Sequence, residues 1–392
     1  MAKTLGVGII GCGNISAAYM RLAPLFKSIE VRACADIDAK AAQARAAEFG
    51  LRAETVDGLL AADDIDIVVN LTIPAAHYEV SKRILDAGKH VYSEKPFVLS
   101  LKEGQDIAKR AAKKGLRVGS APDTFLGGAH QHARHLIDSG AIGKVTSGTA
   151  YVMSHGMEHW HPNPDFFFKP GAGPVLDIGP YYVTNLIQLI GPVKRVGAIS
   201  STQAPVRTIT SKPRSGQKIK VETPTTIHAV LEFENGATVA MGTSWDVWSH
   251  DHRNMELYGE DGTLYVPDPN FFGGDLRMTK GNEPVKKLAK FDHPFAVINE
   301  SNGTRRQANY RTSGLADMAQ AIIDGRPHRC SLELALHAVD VMTSILKSGE
   351  TGRFVTVATT CERPAPLGIK DAKALLAKKA EPKKAKAKKK GK

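Results

Sequence analysis

Gly6-Val7-Gly8-Ile9-Ile10-Gly11-Cys12-Gly13-Asn14-Ile15-Ser16 decides how the first third of the chain folds. It offers two glycine registers. Gly6, Gly8 and Gly11 match GxGxxG literally, whereas Gly11, Gly13 and Ser16 match it with a small residue in third place. A phosphate-binding turn must follow a strand and open a helix. A turn at Gly6 leaves only five residues before it and starts the helix inside Gly-Cys-Gly, where each glycine costs about 1 kcal/mol of helix propensity. A turn at Gly11 leaves the strand Leu5–Ile10 ahead of it and a workable helix behind it. Gly13 then lets the backbone approach a pyrophosphate at the positive helix end. Asp36 follows Gly11 by 25 residues, at the end of the next strand-like run. A carboxylate there accepts from ribose hydroxyls and repels a 2′-phosphate, so NAD is expected over NADP.

Outward from this turn, short apolar runs alternate with helical patterns as far as about Pro122. Val31–Ala35, Ile65–Leu71, His90–Ser93 and Val118–Ser120 read as strands, and Ile65–Leu71 has the near-continuous apolar character of a parallel strand buried on both faces. Ser100-Leu101-Lys102-Glu103 has capping-box spacing for a helix to about Lys114. This is the pattern of a doubly wound α/β Rossmann domain over residues 1–122. Beyond it, the segments Val145–Met153, Arg195–Ser201, Thr226–Phe233, Thr238–Trp245, Arg253–Tyr258 and Thr263–Val266 predict a mostly antiparallel α+β domain over 123–366. Helices are expected at 125–139, 313–324 and 332–347, and a polar surface loop at 207–223.

The net charge of +12 is concentrated at one end. Residues 370–392 hold 11 lysines against Asp371 and Glu381, a balance of +9, which leaves +3 for the remainder. Residues 367–392 are therefore expected to be a disordered, self-repelling tail, and no specific nucleic-acid partner is expected. No stretch reaches the roughly 20 apolar residues of a membrane span, and the amino terminus lacks the apolar region of a signal peptide. Four cysteines without a CxxC pair suggest free thiols in a reducing compartment, so a cytoplasmic location is expected.

Two further runs carry chemistry. Gly88-Lys89-His90-Val91-Tyr92-Ser93-Glu94-Lys95-Pro96 puts a lysine at the carboxyl end of a parallel strand, where such sheets bind ligands, and Pro96 admits a cis bond. Gly171-Ala172-Gly173-Pro174-Val175-Leu176-Asp177-Ile178-Gly179-Pro180-Tyr181 spaces Asp177 and Tyr181 four apart, on one face of a helix start.

With GIIGCGNIS (8–16), LTIPAAH (71–77), GKHVYSEKP (88–96), GAGPVLDIGPYY (171–182) and YGEDGTLYV (258–266) in this order, the chain resembles the Gfo/Idh/MocA oxidoreductases. The resemblance implies a Rossmann domain followed by a domain with a large open-faced sheet, often used to assemble homodimers or homotetramers. It implies that Lys95 is the lysine of the family's EKP motif, near the nicotinamide and the reacting hydroxyl, and that Asp177 and Tyr181 hold the D-x-G-x-H/Y positions. The cofactor set it implies is Gly11, Gly13, Asn14, Ile15, Asp36, Thr72, Pro74, His77, Glu94 and Lys95. Oxidising a secondary alcohol requires a base for the hydroxyl proton. Tyr181 beside an ammonium can be that base, Lys95 can hold the oxygen, and Asp177 can orient the substrate. Two departures are visible: Thr72-Ile73-Pro74 replaces the family's Thr-Pro pair, and Ala121-Pro122-Asp123-Thr124-Phe125 replaces an Asn leading to an Arg.

Histidine and tryptophan are dense at 155–165 and 245–253. Zinc ligation by His155, His159 and His161 is one reading. A sugar pocket built from His155, His159, Trp160, His161, Asp165 and Trp245 is the preferred one, because indole faces stack on sugar rings and hydride transfer to nicotinamide needs no metal. The expected function is NAD-dependent oxidation of a sugar, cyclitol or glycoside hydroxyl. The competing readings are an NAD-dependent glycosidase working through a transient keto-sugar and a non-catalytic NAD-binding sensor.

Overall fold

A computed structural model describes residues 3–302 and 305–377. Six strands, β1 (Leu5–Ile10), β2 (Ile29–Ala35), β3 (Arg52–Glu54), β4 (Ile67–Asn70), β5 (His90–Ser93) and β6 (Val118–Ser120), form one sheet in the order β3-β2-β1-β4-β5-β6. Every pairing in it is parallel. The order reverses between β1 and β4, which opens a crevice at their carboxyl ends. β1 and β4 are buried at every position, as expected for near-continuous apolar runs, and the one polar member, Asn70, donates to His77 O and Ser81 Oγ. Gly6 and Gly8 lie inside β1, where a Cβ would stand 1.9 Å from Asp64 O and 2.7 Å from Leu59 Cδ2 respectively. The literal GxGxxG is therefore a packing feature, and Gly11 and Gly13 form the turn. Ser100 and Glu103 make the capping box, and their helix ends at Lys114.

The second sheet has nine strands, in the order 286–287, 277–280, 262–266, 255–259, 145–153, 238–244, 226–233, 193–201, 355–356. It is antiparallel apart from the pairing of Thr238–Ser244 with Val145–Met153. The helix Leu332–Thr351 packs on the strand Val193–Ser201 and on the helix Leu101–Lys114. The wholly buried helix Gly179–Ile190 packs beside it. The other face of the sheet carries exposed Ile199, Val230 and Phe354.

Two expectations change. The polar segment 207–223 contains a hairpin, Val206–Thr208 with Lys218–Lys220. Its Ile209, Ile219 and Val221 form a second small core with Met157, Phe168 and Trp245. The alternation of charged and apolar residues there is a strand signal that the density of lysine and arginine obscured. The disorder expected from 367 does not hold at its start. Ile369–Leu375 is a helix, and Leu376 bridges to Phe26. Leu367 and Leu375 are buried, so apolar anchoring outweighs the first lysines. The remainder of the expected tail, 378–392, lies outside the described residues.

Candidate active site

The glycine turn is built as a receptor for an anion. Gly11 has φ +103°, and a Cβ on it would sit 2.6 Å from the Leu71 carbonyl. Only glycine fits there. Gly13 caps the helix Asn14–Leu22 with no side-chain partner, and a Cβ on it would meet nothing within 4 Å. The first N–H groups and the positive end of that helix thus face open space. Asp36 accepts from the Cys12 N–H through Oδ2 (2.7 Å) and from the Asp38 N–H through Oδ1 (2.9 Å). Its carboxylate fastens the turn to the end of β2 and retains lone pairs for ribose hydroxyls. An open approach at Gly13, an uncapped helix end and a placed carboxylate fit a dinucleotide.

Lys95, Asp177 and Tyr181 meet although 82 residues separate the first two. The Lys95 Nζ donates to Asp177 O (2.6 Å) and Oδ1 (2.8 Å), and stands 5.2 Å from the centroid of the Tyr181 ring. Burial opposes the ammonium, but the Asp177 carboxylate and Tyr181 outweigh it, so the Lys95 pKa lies above that of an ordinary lysine. The peptide bond before Pro96 is cis. Asp177 ends the short helix Gly173–Asp177, and Tyr181 lies in the first turn of Gly179–Ile190. Glu94 is buried, accepting from the Tyr19 hydroxyl and the Lys95 N–H, each at 2.9 Å.

All three line one cavity of about 390 Å³ with Ile15, Thr72, Pro74 and Glu94. Asn14 begins the helix beside the cavity and Asp36 stands at the turn's far side. His77 is buried behind the wall, with ring nitrogens 2.7 Å from Pro96 O and 3.0 Å from Thr72 O. It ties two lining loops together.

The histidine and tryptophan positions lie elsewhere. Trp245 is buried in the second small core. Trp160 is 57% exposed. His155 stacks on Trp248 with centroids 3.3 Å apart, and His161 sits edge-on to Phe166 and Phe167. His159 is exposed, and Asp165 is paired with Arg214. None of the six lines the cavity; Phe166 and Phe167, which His161 meets edge-on, do. Among the described residues, no three His, Cys, Asp or Glu side chains are grouped to hold a metal.

Sequence reasoning missed Phe166, Phe167, Lys169 and Arg311 in the cavity wall. The run Phe166-Phe167-Phe168 beside a polar segment was a usable signal for the first two. Arg311 carries none, because only the folded chain brings it across.

Comparisons with known proteins agree with this arrangement. Residues 5–121 match a family described as an oxidoreductase family with an NAD-binding Rossmann fold, and residues 130–265 match the Gfo/Idh/MocA C-terminal domain. The chain is 29% identical to the dTDP-3,4-didehydro-2,6-dideoxy-alpha-D-glucose 3-reductase of Saccharopolyspora spinosa, over 68% of this chain and 75% of that one. It is 27% identical to the levoglucosan dehydrogenase of Pseudarthrobacter phenanthrenivorans, over 67% and 73%. Its matches to two uncharacterized Schizosaccharomyces pombe oxidoreductases, at 29% and 31% identity, span only 58% and 44% of their lengths. The fold resembles that of an NAD binding oxidoreductase from Klebsiella pneumoniae, with TM-score 0.78 and 22% identity over 91% of this chain and all of that one. A dinucleotide turn, a lysine–aspartate–tyrosine cavity at the sheet's crevice and a large second sheet thus coincide with both family matches, and the chain belongs to the Gfo/Idh/MocA oxidoreductase family.

Proposed function

We propose that the chain is an NAD-dependent dehydrogenase that oxidises a secondary hydroxyl of a sugar, cyclitol or glycoside. The observation that carries this reading is the meeting of Lys95, Asp177 and Tyr181 in the cavity that also holds Ile15 and Thr72 of the cofactor side. Gly11, Gly13, Asn14, Ile15, Asp36, Thr72, Pro74, Glu94 and Lys95 would hold NAD, with residues 1–122 as its domain and 123–366 as that of the substrate. Bound NAD supplies a hydride acceptor.

The chain's own groups divide the remaining tasks. Lys95 is held cationic by Asp177, so it cannot take up the hydroxyl proton; it fixes and polarises the substrate oxygen instead. Tyr181 would act as the base in its phenolate form, whose oxygen takes up that proton and ends as the phenol. Asp177 orients Lys95, and Phe166 and Phe167 offer apolar faces to a ring. Relatives named for a keto-sugar and for levoglucosan favour the sugar class.

The same reading makes the outer face of the large sheet, with Ile199, Val230 and Phe354, the contact between copies in a homodimer or homotetramer. Light scattering on a Val230→Glu variant tests this; an unchanged mass overturns it. Four free cysteines suit a reducing, cytoplasmic setting. Incubating the protein with NAD and a panel of sugars, and following NADH, tests the activity. NADH from at least one polyol is expected. Free sugar released from glycosides without net NADH would replace this reading with a glycosidase.

A further inference from the structure

Arg311 enters the cavity just ahead of the helix Ser313–Asp324. Its guanidinium carries five N–H donors, yet among the described residues no hydrogen bond engages them. Its one ion pair, to Glu94 Oε1, is 3.9 Å long, beyond hydrogen-bond reach. Glu94 is committed elsewhere, to Tyr19 and to the Lys95 N–H. The nearby buried Asp123 accepts from Gly314 and Ser313. The other two cations of the wall are matched: Lys95 by Asp177 at 2.8 Å and Lys169 by Glu222 at 2.5 Å. Arg311 is thus a mostly covered cation of the cavity wall, its side chain 18% exposed, whose guanidinium makes no hydrogen bond among the described residues. Polar groups so placed are normally satisfied, here by a ligand.

Its backbone supports the same conclusion. Thr312, the next residue, has φ +89°, the one positive φ outside glycine among the described residues. A β-branched residue in that region is strained, and its hydroxyl is buried without a partner. The strained residue directly follows Arg311 in the chain. Counted with their partners, the cations Lys95, Lys169 and Arg311 stand against the carboxylates Asp177, Glu222 and Glu94, and only the Arg311 pairing lacks a hydrogen bond.

We propose that Arg311 grips a carboxylate on the substrate, so that the preferred substrates are sugar acids, such as uronates or aldonates, rather than neutral sugars. The planar guanidinium fork matches a carboxylate through two parallel hydrogen bonds. A substrate carboxylate there supplies the hydrogen-bond acceptor that Glu94, 3.9 Å away, does not. This inference rests on the dehydrogenase reading and names the substrate class for the same site.

The test compares kcat/KM for matched pairs: a hexuronate with its hexose, and an aldonate with its alditol. A hexose phosphate serves as a third arm. The wild-type protein should favour the acids by about tenfold or more, the scale of a charged hydrogen bond. Arg311→Lys should lose most of that preference and Arg311→Gln all of it. NAD affinity, read by NADH fluorescence, should stay within about twofold. Preference for the neutral sugar or the phosphate overturns the inference. So does an equal loss on both members of a pair, or weakened NAD binding, which would assign Arg311 to the cofactor. If the variants fail to fold, the wild-type preference decides alone. NADH from neutral sugars only would sink this inference and leave the dehydrogenase standing; NADH from none would sink the dehydrogenase itself.

Discussion

The Lys95 ammonium donates to both the main-chain carbonyl and the carboxylate of Asp177, at 2.6 and 2.8 Å. An ammonium has three donors. Two are fixed on one residue, and the third is left for the cavity, above the Tyr181 ring. A lysine held this way is a rigid point charge.

Lys95→Met should lower kcat by about 10²- to 10⁴-fold, the range for a group acting on the transferred proton or its oxygen. NAD should still bind, because the glycine turn and Asp36 lie outside the change. Lys95→Arg should not rescue turnover, since a planar fork cannot reproduce a compact ammonium. Stopped-flow NADH formation and NADH fluorescence read the two effects separately. Undiminished turnover in Lys95→Met would remove the lysine from the chemistry.

Asp177→Asn keeps an oxygen for the Nζ but removes the charge that outweighs burial. The Lys95 pKa should fall. Turnover that needs the ammonium should then fail at a lower pH than in the wild-type protein, moving the alkaline limb of the rate profile to the acid side. At neutral pH a loss of about 10- to 100-fold in kcat/KM is expected, because a buried cation is left half-matched. An unmoved alkaline limb would show that Asp177 does not set the charge of Lys95.

Gly11 and Gly13 should separate fold from binding. Gly11→Ala meets backbone at 2.6 Å with φ +103°, and should destabilise the protein by roughly 2–4 kcal/mol. Gly13→Ala has ordinary φ and empty space around it. It should melt within about 0.5 kcal/mol of the wild-type protein while NAD affinity drops about tenfold, since the new methyl blocks the pyrophosphate approach. Equal melting curves for the two variants would contradict this division.

Asp36→Ala should raise the NAD KM several-fold and narrow the preference over NADP, because it removes both the ribose acceptor and the repulsion of a 2′-phosphate. It also frees the Cys12 N–H, so the turn itself loosens. Parallel kinetics with the two cofactors check this. An unchanged cofactor ratio would mean that Asp36 serves the turn alone.

The parts of the fold readable from the sequence were those with local causes. Strand β1, the capping box at Ser100 and the helix Ser313–Asp324 follow from periodicity and caps, and they stand within a residue or two of where those signals put them. Lys95, Asp177 and Tyr181 were legible because each lies in a distinctive glycine- or proline-bounded run. The hairpin at 206–220 was hidden by exposed lysine and arginine, although its inward residues are apolar. Arg311 was hidden for a different reason. Its significance depends on the length of its contact with Glu94, 217 residues away in the chain, which no local pattern encodes. Trp245 shows the opposite error: a tryptophan chosen for its stacking face is instead the centre of a small core.

His130 gives the fold a pH dependence of known sign. It is fully buried, with Nε2 2.8 Å from Phe271 O, and burial lowers its pKa from 6.5 to about 4. In the unfolded chain it should titrate near 6.5. Above that value both states are neutral and the fold is unaffected. As the pH falls from 6.5 toward 4, the unfolded chain takes up a proton that the folded protein refuses, so stability declines, by roughly 3 kcal/mol at the limit. His77, His293, His328 and His337 are depressed by burial in the same direction and steepen the decline. His130→Gln should be less stable than the wild-type protein at pH 7, because it disturbs a packed site, yet lose less on acidification. Urea melts of both proteins across that range measure the two slopes; identical slopes would rule out His130 as a source of the acid sensitivity.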